Sequence, residues 1–232
     1  MDIKNLRRNV GVMLLSAVLI SSMPAYSLSL GKQDEIIIPK NYPAKYNEEY
    51  VKRIKNLYKE VSDDHIFYVA LDMLKDTNGE FSRRAIMGNN LSKKPVRIMF
   101  KDLGSIRPDY ADYDALGWKK NKRLYIFINP KHKEAPPGAI AALLSHEAIH
   151  QDEYNSIAEE TYAWTMEASV WSEIVELYPE SDENLSPLVQ RENKLKKLFE
   201  KGGYSSKYIR KTVQSNEGYK GLPATSPGFE DL

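Results

Sequence analysis

His146-Glu147-Ala148-Ile149-His150, followed by Glu159-Glu160-Thr161-Tyr162-Ala163-Trp164, is the stretch around which the chain is organised. Two histidines at i and i+4 of a helix stand one above the other on the same face. Their ring nitrogens can then share one Zn²⁺, and Glu147 between them falls beside the open position of the ion. A catalytic zinc site needs three protein ligands. No histidine follows His150, and the residues three and six places beyond it are Glu153 and Ser156, not the Gly and His of a three-histidine pattern. The third ligand must therefore be acidic, from Glu153, Glu159, Glu160 or Glu167.

Helical geometry ranks these. Asn155-Ser156 reads as a turn and cap, and Ser156-Ile157-Ala158-Glu159 fits a capping box in which Glu159 bonds back to the cap amide. At about 100° per residue, Glu160 falls on one stripe with Ala163, Trp164, Glu167, Trp171, Ile174, Val175 and Tyr178. A carboxylate in an apolar stripe is costly to bury unless it is paired or bound to a metal. Glu160 is the expected third ligand and Glu159 the alternative. Glu153, within a turn of His150, is expected to face solvent. Glu167, two turns on from Glu160, is placed to accept the second ring N–H of a ligating histidine, or to reach water at the stripe's edge.

His146-Glu147-x-x-His150 followed by Glu160-x-x-Ala163 resembles the gluzincin branch of zincin metallopeptidases, over roughly residues 96–178. The resemblance implies His146, His150 and Glu160 as zinc ligands and Glu147 as general base. It departs from the thermolysin-like Asn-Glu-Ala version, and Trp164 stands where an Asp often follows the alanine. A five-residue motif also arises by chance, and the competing reading is a helix whose histidines are satisfied core residues.

Upstream, Ala135-Pro136-Pro137-Gly138 launches the motif helix, with Pro137 in its first turn. Ala139 to Leu144, Ala148 and Ile149 make it apolar nearly all round, so it is expected to be buried and central. Arg123–Ile128 is the clearest strand, Pro95–Phe100 a second and Tyr113–Trp118 a weaker third. Lys119-Lys120-Asn121-Lys122 forms the charged tip of a hairpin between the last two. Helices are expected from Asn47 (inward Tyr50, Ile54, Leu57, Tyr58, Val61), over His65–Leu74, over Phe81–Met87 and over Asn184–Lys201, with a further one over Tyr204–Gln214. His132, in the loop before the motif helix, is expected to be solvated. The helix from Ser156 runs to a stop at Pro179, with Trp164 and Trp171 expected in the core.

The amino terminus has an address. Lys4, Arg7 and Arg8 precede an apolar run over residues 10–20 and Ala25-Tyr26-Ser27, which describes a secretory signal peptide over residues 1–27. The run is too short for a comfortable membrane span, so no stable span is expected after cleavage. The chain has no cysteine and a formal charge of +1, which becomes −1 when three cations and Asp2 leave with residues 1–27. Nothing in that balance suggests nucleic acid.

The expected architecture is α+β: a zincin-like domain over residues 47–214, with a small mixed or antiparallel sheet over the central helix and helices elsewhere. An extended arm (residues 28–46) precedes it and an irregular tail (residues 215–232) follows. The expected function is a secreted or periplasmic zinc metallopeptidase acting on a peptide or protein substrate through zinc-bound water and Glu147. The alternative is a non-catalytic zincin-like binding protein of the cell envelope.

Overall fold

The computed structural model describes residues 36–183 and 185–231; the expected signal peptide and residues 28–35 of the arm lie outside these. Residues 36–46 are not simply extended. Turns close from Pro39 to Tyr42 and from Pro43 to Tyr46, and both tyrosines are buried. Helix α1 (Glu48–Tyr58) is capped by Asn47, whose side chain accepts from the Tyr50 amide, and turns Val51, Ile54 and Tyr58 inward. Leu57, expected on that stripe, is exposed. Helix α2 (His65–Met73) buries every residue after its first, and α3 (Glu80–Ile86) is a short helix before the sheet.

The sheet is mixed, in the order β1-β3-β2. Strand β1 (Arg97–Phe100) runs parallel to β3 (Arg123–Ile128), with Ile98 opposite Ile126; β2 (Ala115–Lys120) is antiparallel to β3, with Gly117 opposite Ile126. The hairpin tip is tighter than expected. β2 continues through Lys120, and only Asn121 and Lys122 turn, both at positive φ. Two such residues match the right-handed strand twist of a two-residue hairpin. β2 starts at Ala115, not Tyr113, and is an edge strand.

Helix α4 (Pro137–Glu147) is buried along its whole length, as its all-round apolar sequence requires. It packs against α2 and against the long helix α5 (Ile157–Leu177). Gly138 permits the close approach: a Cβ there would lie 2.8 Å from Ile174 Cγ2 and 2.9 Å from Ser181 Oγ. Helices α6 (Pro187–Lys201) and α7 (Lys207–Ser215) cover the far side of α5, and Leu195, Phe199, Ile209 and Val213 pack with Ala168 there.

The motif helix corrects one expectation. α4 ends at Glu147, and His150 lies beyond it. The Ile149 amide bonds to the His146 carbonyl at 2.9 Å, three residues back, which tightens the last turn before the chain leaves the helix. Among the described residues no helix is long and apolar enough to cross a membrane.

After α7, one 3₁₀ turn (Glu217–Tyr219) interrupts an otherwise irregular segment. That segment is no loose appendage. The Pro223 and Ala224 carbonyls accept from the Ile157 and Ala158 amides, each at 3.0 Å, satisfying N–H groups that the first turn of α5 leaves unpaired.

Candidate metal centre

His146 arrives from the last turn of α4, His150 from the chain just past it, and Glu160 from the first turn of α5. Their ligand atoms all lie within 4.8 Å of one another. The Nε2 atoms of His146 and His150 are 3.3 Å apart, and Glu160 Oε2 and Oε1 lie 3.8 and 3.7 Å from them respectively. Two nitrogens each about 2.0–2.1 Å from a tetrahedral ion are separated by about 3.3 Å. So the loss of helical geometry at His150 does not part the two rings. Glu160 stands where the stripe argument put it.

The outer nitrogens fix the tautomers. His146 Nδ1 faces Glu167 Oε2 at 3.1 Å, and His150 Nδ1 faces Glu159 Oε1 at 2.9 Å. A carboxylate only accepts, so each Nδ1 carries a proton and the two Nε2 atoms are turned toward each other. Two facing lone pairs would repel, so a proton or a cation must lie between them. Glu160 Oε2, buried and without a hydrogen-bond partner, faces the same point; its Oε1 accepts from Asn155 Nδ2 at 2.6 Å. Burial works against a charged His150, but the Glu159 bond and the Glu160 and Glu147 carboxylates outweigh it and push its pKa up to about 9. The group therefore favours positive charge, and its donor set of two imidazoles and a carboxylate fits a divalent metal.

Glu159 departs from its expected cap role. Ser156 Oγ does accept from the Glu159 amide at 3.0 Å, but the Ser156 amide goes to Asn155 Oδ1, leaving the Glu159 carboxylate for His150. As the alternative metal ligand it is displaced, because Oε1 faces the outer nitrogen of the ring and Oε2 accepts from Ser226. Glu153 is exposed and pairs with Lys119 at 3.2 Å.

Glu147 ends α4 nearly buried. β2 crosses beside it at Gly117, where a Cβ would lie 3.8 Å from Glu147 Oε2 and 3.7 Å from His150 Cβ. Burial raises the Glu147 pKa above the usual carboxylate range; the two histidines oppose this, and Glu160 and Glu167 add to it. A carboxylate with its pKa raised in this way takes up a proton more readily than an exposed one.

Behind His146 lies a buried charge network that the sequence did not reveal. Glu167 Oε1 and Oε2 accept from Arg191 Nη1 and Nη2 at 2.5 and 3.0 Å. Arg191 also meets Glu192 Oε1 at 2.8 Å and Asp114 Oδ2 at 3.3 Å. Asp114 Oδ1 in turn holds His132 Nε2 at 2.7 Å and Lys131 Nζ at 2.9 Å. His132 is thus buried, not solvated as expected. The hairpin register offered a signal, since Ala115 pairs with Ile128 and brings Asp114 beside the loop after β3. Burial alone would raise Glu167, yet Arg191 and His146 bring its pKa down to about 2. Burial, reinforced by the neighbouring Glu167, holds Glu192 well above the carboxylate range, so it is the proton-bearing member.

That assignment has a measurable consequence. Unfolded Glu192 ionises above pH 4.5 while the folded group keeps its proton, so its contribution to stability is present below pH 4.5 and is lost as pH rises. Glu192→Gln removes this dependence. The variant should gain stability over the parent by up to about 1.4 kcal/mol per pH unit above the unfolded value, until the native group itself ionises. Urea unfolding from pH 4.5 to 8 checks it; an advantage that does not grow with pH refutes the proton-bearing assignment.

Two residues of the C-terminal segment also reach the centre. Tyr219 lines the cleft with His146, Glu147, His150 and Glu160, its hydroxyl accepting from Trp164 Nε1 at 3.0 Å. Ser226 Oγ donates to Glu159 Oε2 at 2.8 Å. No sequence signal distinguished Tyr219 among fifteen tyrosines. Trp164 is accordingly part cleft wall, whereas Trp171 is fully buried, as expected.

Comparison with protein-family models, with curated proteins and with solved structures returned no match. Geometry and chemistry carry the functional reading alone.

Proposed function

We propose that this chain is a zinc-dependent hydrolase of peptide or other amide bonds, of the gluzincin kind that the motif resembles, with a zincin-like fold. The carrying observation is the unpartnered Glu160 oxygen meeting two Nε2 lone pairs beside a buried Glu147. His146, His150 and Glu160 would hold the ion. A zinc ion in such a site supplies Lewis acidity, lowering the pKa of water and polarising a carbonyl.

The chain's own groups do the rest. Glu147 takes a proton from the attacking water at its carboxylate and returns it to the leaving amine. The Tyr219 hydroxyl, steadied by Trp164, donates to the oxygen on which negative charge develops. An extended peptide adds to the outer edge of β2, whose Gly117 leaves room beside Glu147. Glu167 and Glu159 keep the two ring protons on the outer nitrogens. The basic-then-apolar leader supports delivery to the periplasm or exterior.

The test is metal content followed by turnover. Wild-type protein should bind one zinc per chain and cleave an unstructured polypeptide; a chelator should stop cleavage and added zinc restore it. Glu160→Ala should weaken zinc binding by more than about 100-fold, beyond the effect of losing an outer partner. Wild-type protein that takes up no zinc at micromolar concentrations overturns the reading.

A further inference from the structure

We propose that Ser226 is a positioning residue of the metal centre: its hydroxyl, through Glu159, sets the direction of the His150 ring. The inference rests on the metal site of the preceding section and adds to it a group that touches no ligand.

Three contacts close a ring and a fourth ties it to His150. The Glu159 amide donates to Ser156 Oγ at 3.0 Å, and Ser156 Oγ and Ser226 Oγ are 3.0 Å apart. Ser226 Oγ donates to Glu159 Oε2 at 2.8 Å, and Glu159 Oε1 accepts from His150 Nδ1 at 2.9 Å. A hydroxyl has one proton to give. Ser226 gives its proton to Glu159, so the proton between the two serines comes from Ser156. Every donor direction in the ring is then fixed, and the Glu159 carboxylate is clamped through both oxygens. All three side chains at the clamp are buried.

A clamped carboxylate can present only one oxygen to His150. The ring therefore stays protonated on Nδ1, with the Nε2 lone pair aimed at His146 and Glu160. Without the Ser226 hydroxyl, Glu159 Oε2 is left buried and short of a donor, and the carboxylate can rotate away from the ring. Partners of this kind are typically worth about 10–100-fold in metal affinity. The Pro223 and Ala224 carbonyls hold the segment itself on the first turn of α5, so Ser226 is delivered by a backbone contact independent of its hydroxyl.

The experiment is zinc affinity, measured on the full chain by competition with a chromophoric chelator, alongside the melting temperature of the metal-free protein. Ser226→Ala should bind zinc about 10–100-fold more weakly while still folded, and Ser226→Thr, which keeps the hydroxyl, should recover most of the loss. Phe229→Ala, which removes a ring packed on Tyr162 but keeps the Phe229 amide that bonds the Ser226 carbonyl at 2.9 Å, should leave zinc affinity unchanged. Should Ser226→Ala not fold, Ser226→Val, which has the shape of the threonine variant without its hydroxyl, reads the same link and should show the same loss. Parental zinc affinity in Ser226→Ala or in Ser226→Val overturns the proposal, as does an equal loss in Phe229→Ala. A wild-type chain that binds no zinc overturns the metal site itself, a separate result.

Discussion

Glu147→Gln is expected to cut amide hydrolysis by about 10²- to 10⁴-fold while leaving zinc affinity and fold as they are. The amide has nearly the volume of the carboxylate and sits in the same buried position beside Gly117, so packing is unchanged. It cannot accept a proton from water, and its burial, which raises the wild-type carboxylate pKa, costs the neutral amide little. The comparison separates two functions that share one metal site. A chain that only binds a partner through a zincin-like cleft would show no hydrolysis to lose. A Glu147→Gln variant that hydrolyses amides as fast as the parent would do so by a route that needs no carboxylate at this position.

Arg191→Met carries the largest expected effect on stability. The guanidinium lies among three carboxyl groups, bonding Glu167 through both oxygens and reaching Glu192 and Asp114. Removing one partner of a buried ion pair typically costs about 3–5 kcal/mol, because the remaining charge has lost its compensation. Glu167 is fully buried, which puts this site in that class. The pH dependence identifies the cause. Glu167 is held down to about 2 from 4.5, so in the wild type its contribution is present above pH 4.5 and fades as pH falls toward 2. Without Arg191 that carboxylate rises, and the acid-limb fall in stability should shrink. Denaturant unfolding at neutral and acid pH measures both; a loss under about 1 kcal/mol at neutral pH would mean the network is nearly neutral in energy.

The sequence exposed what repeats locally. β3 was legible because aromatic and branched residues alternate within six positions, and α4 because nothing polar interrupts it before Ser145. Glu160 and Glu167 were legible for a related reason, as acids on an apolar stripe that needed partners. Three things were hidden, each settled by contacts distant in sequence. Glu159 had two feasible partners, its own cap amide and His150, and only the path of the chain after α4 chose between them. His132 looked solvated because its partner Asp114 lies 18 residues earlier, across the hairpin. Arg191 and Glu192 sit in a helix dense with lysines, where neither stands out as buried. The tail was legible as irregular, but the place where it packs was not, since capping by its carbonyls leaves no mark in composition.

The link between Ser226 and Glu159 spans 67 residues of sequence. Long loops close late in folding, after local helices and hairpins have formed. A chain that has formed α4 before this segment docks would carry His146 on the last turn of the helix and His150 just past it, without the clasp that aims the second ring. Its grip on a metal ion would then tighten only as the last long loop closes.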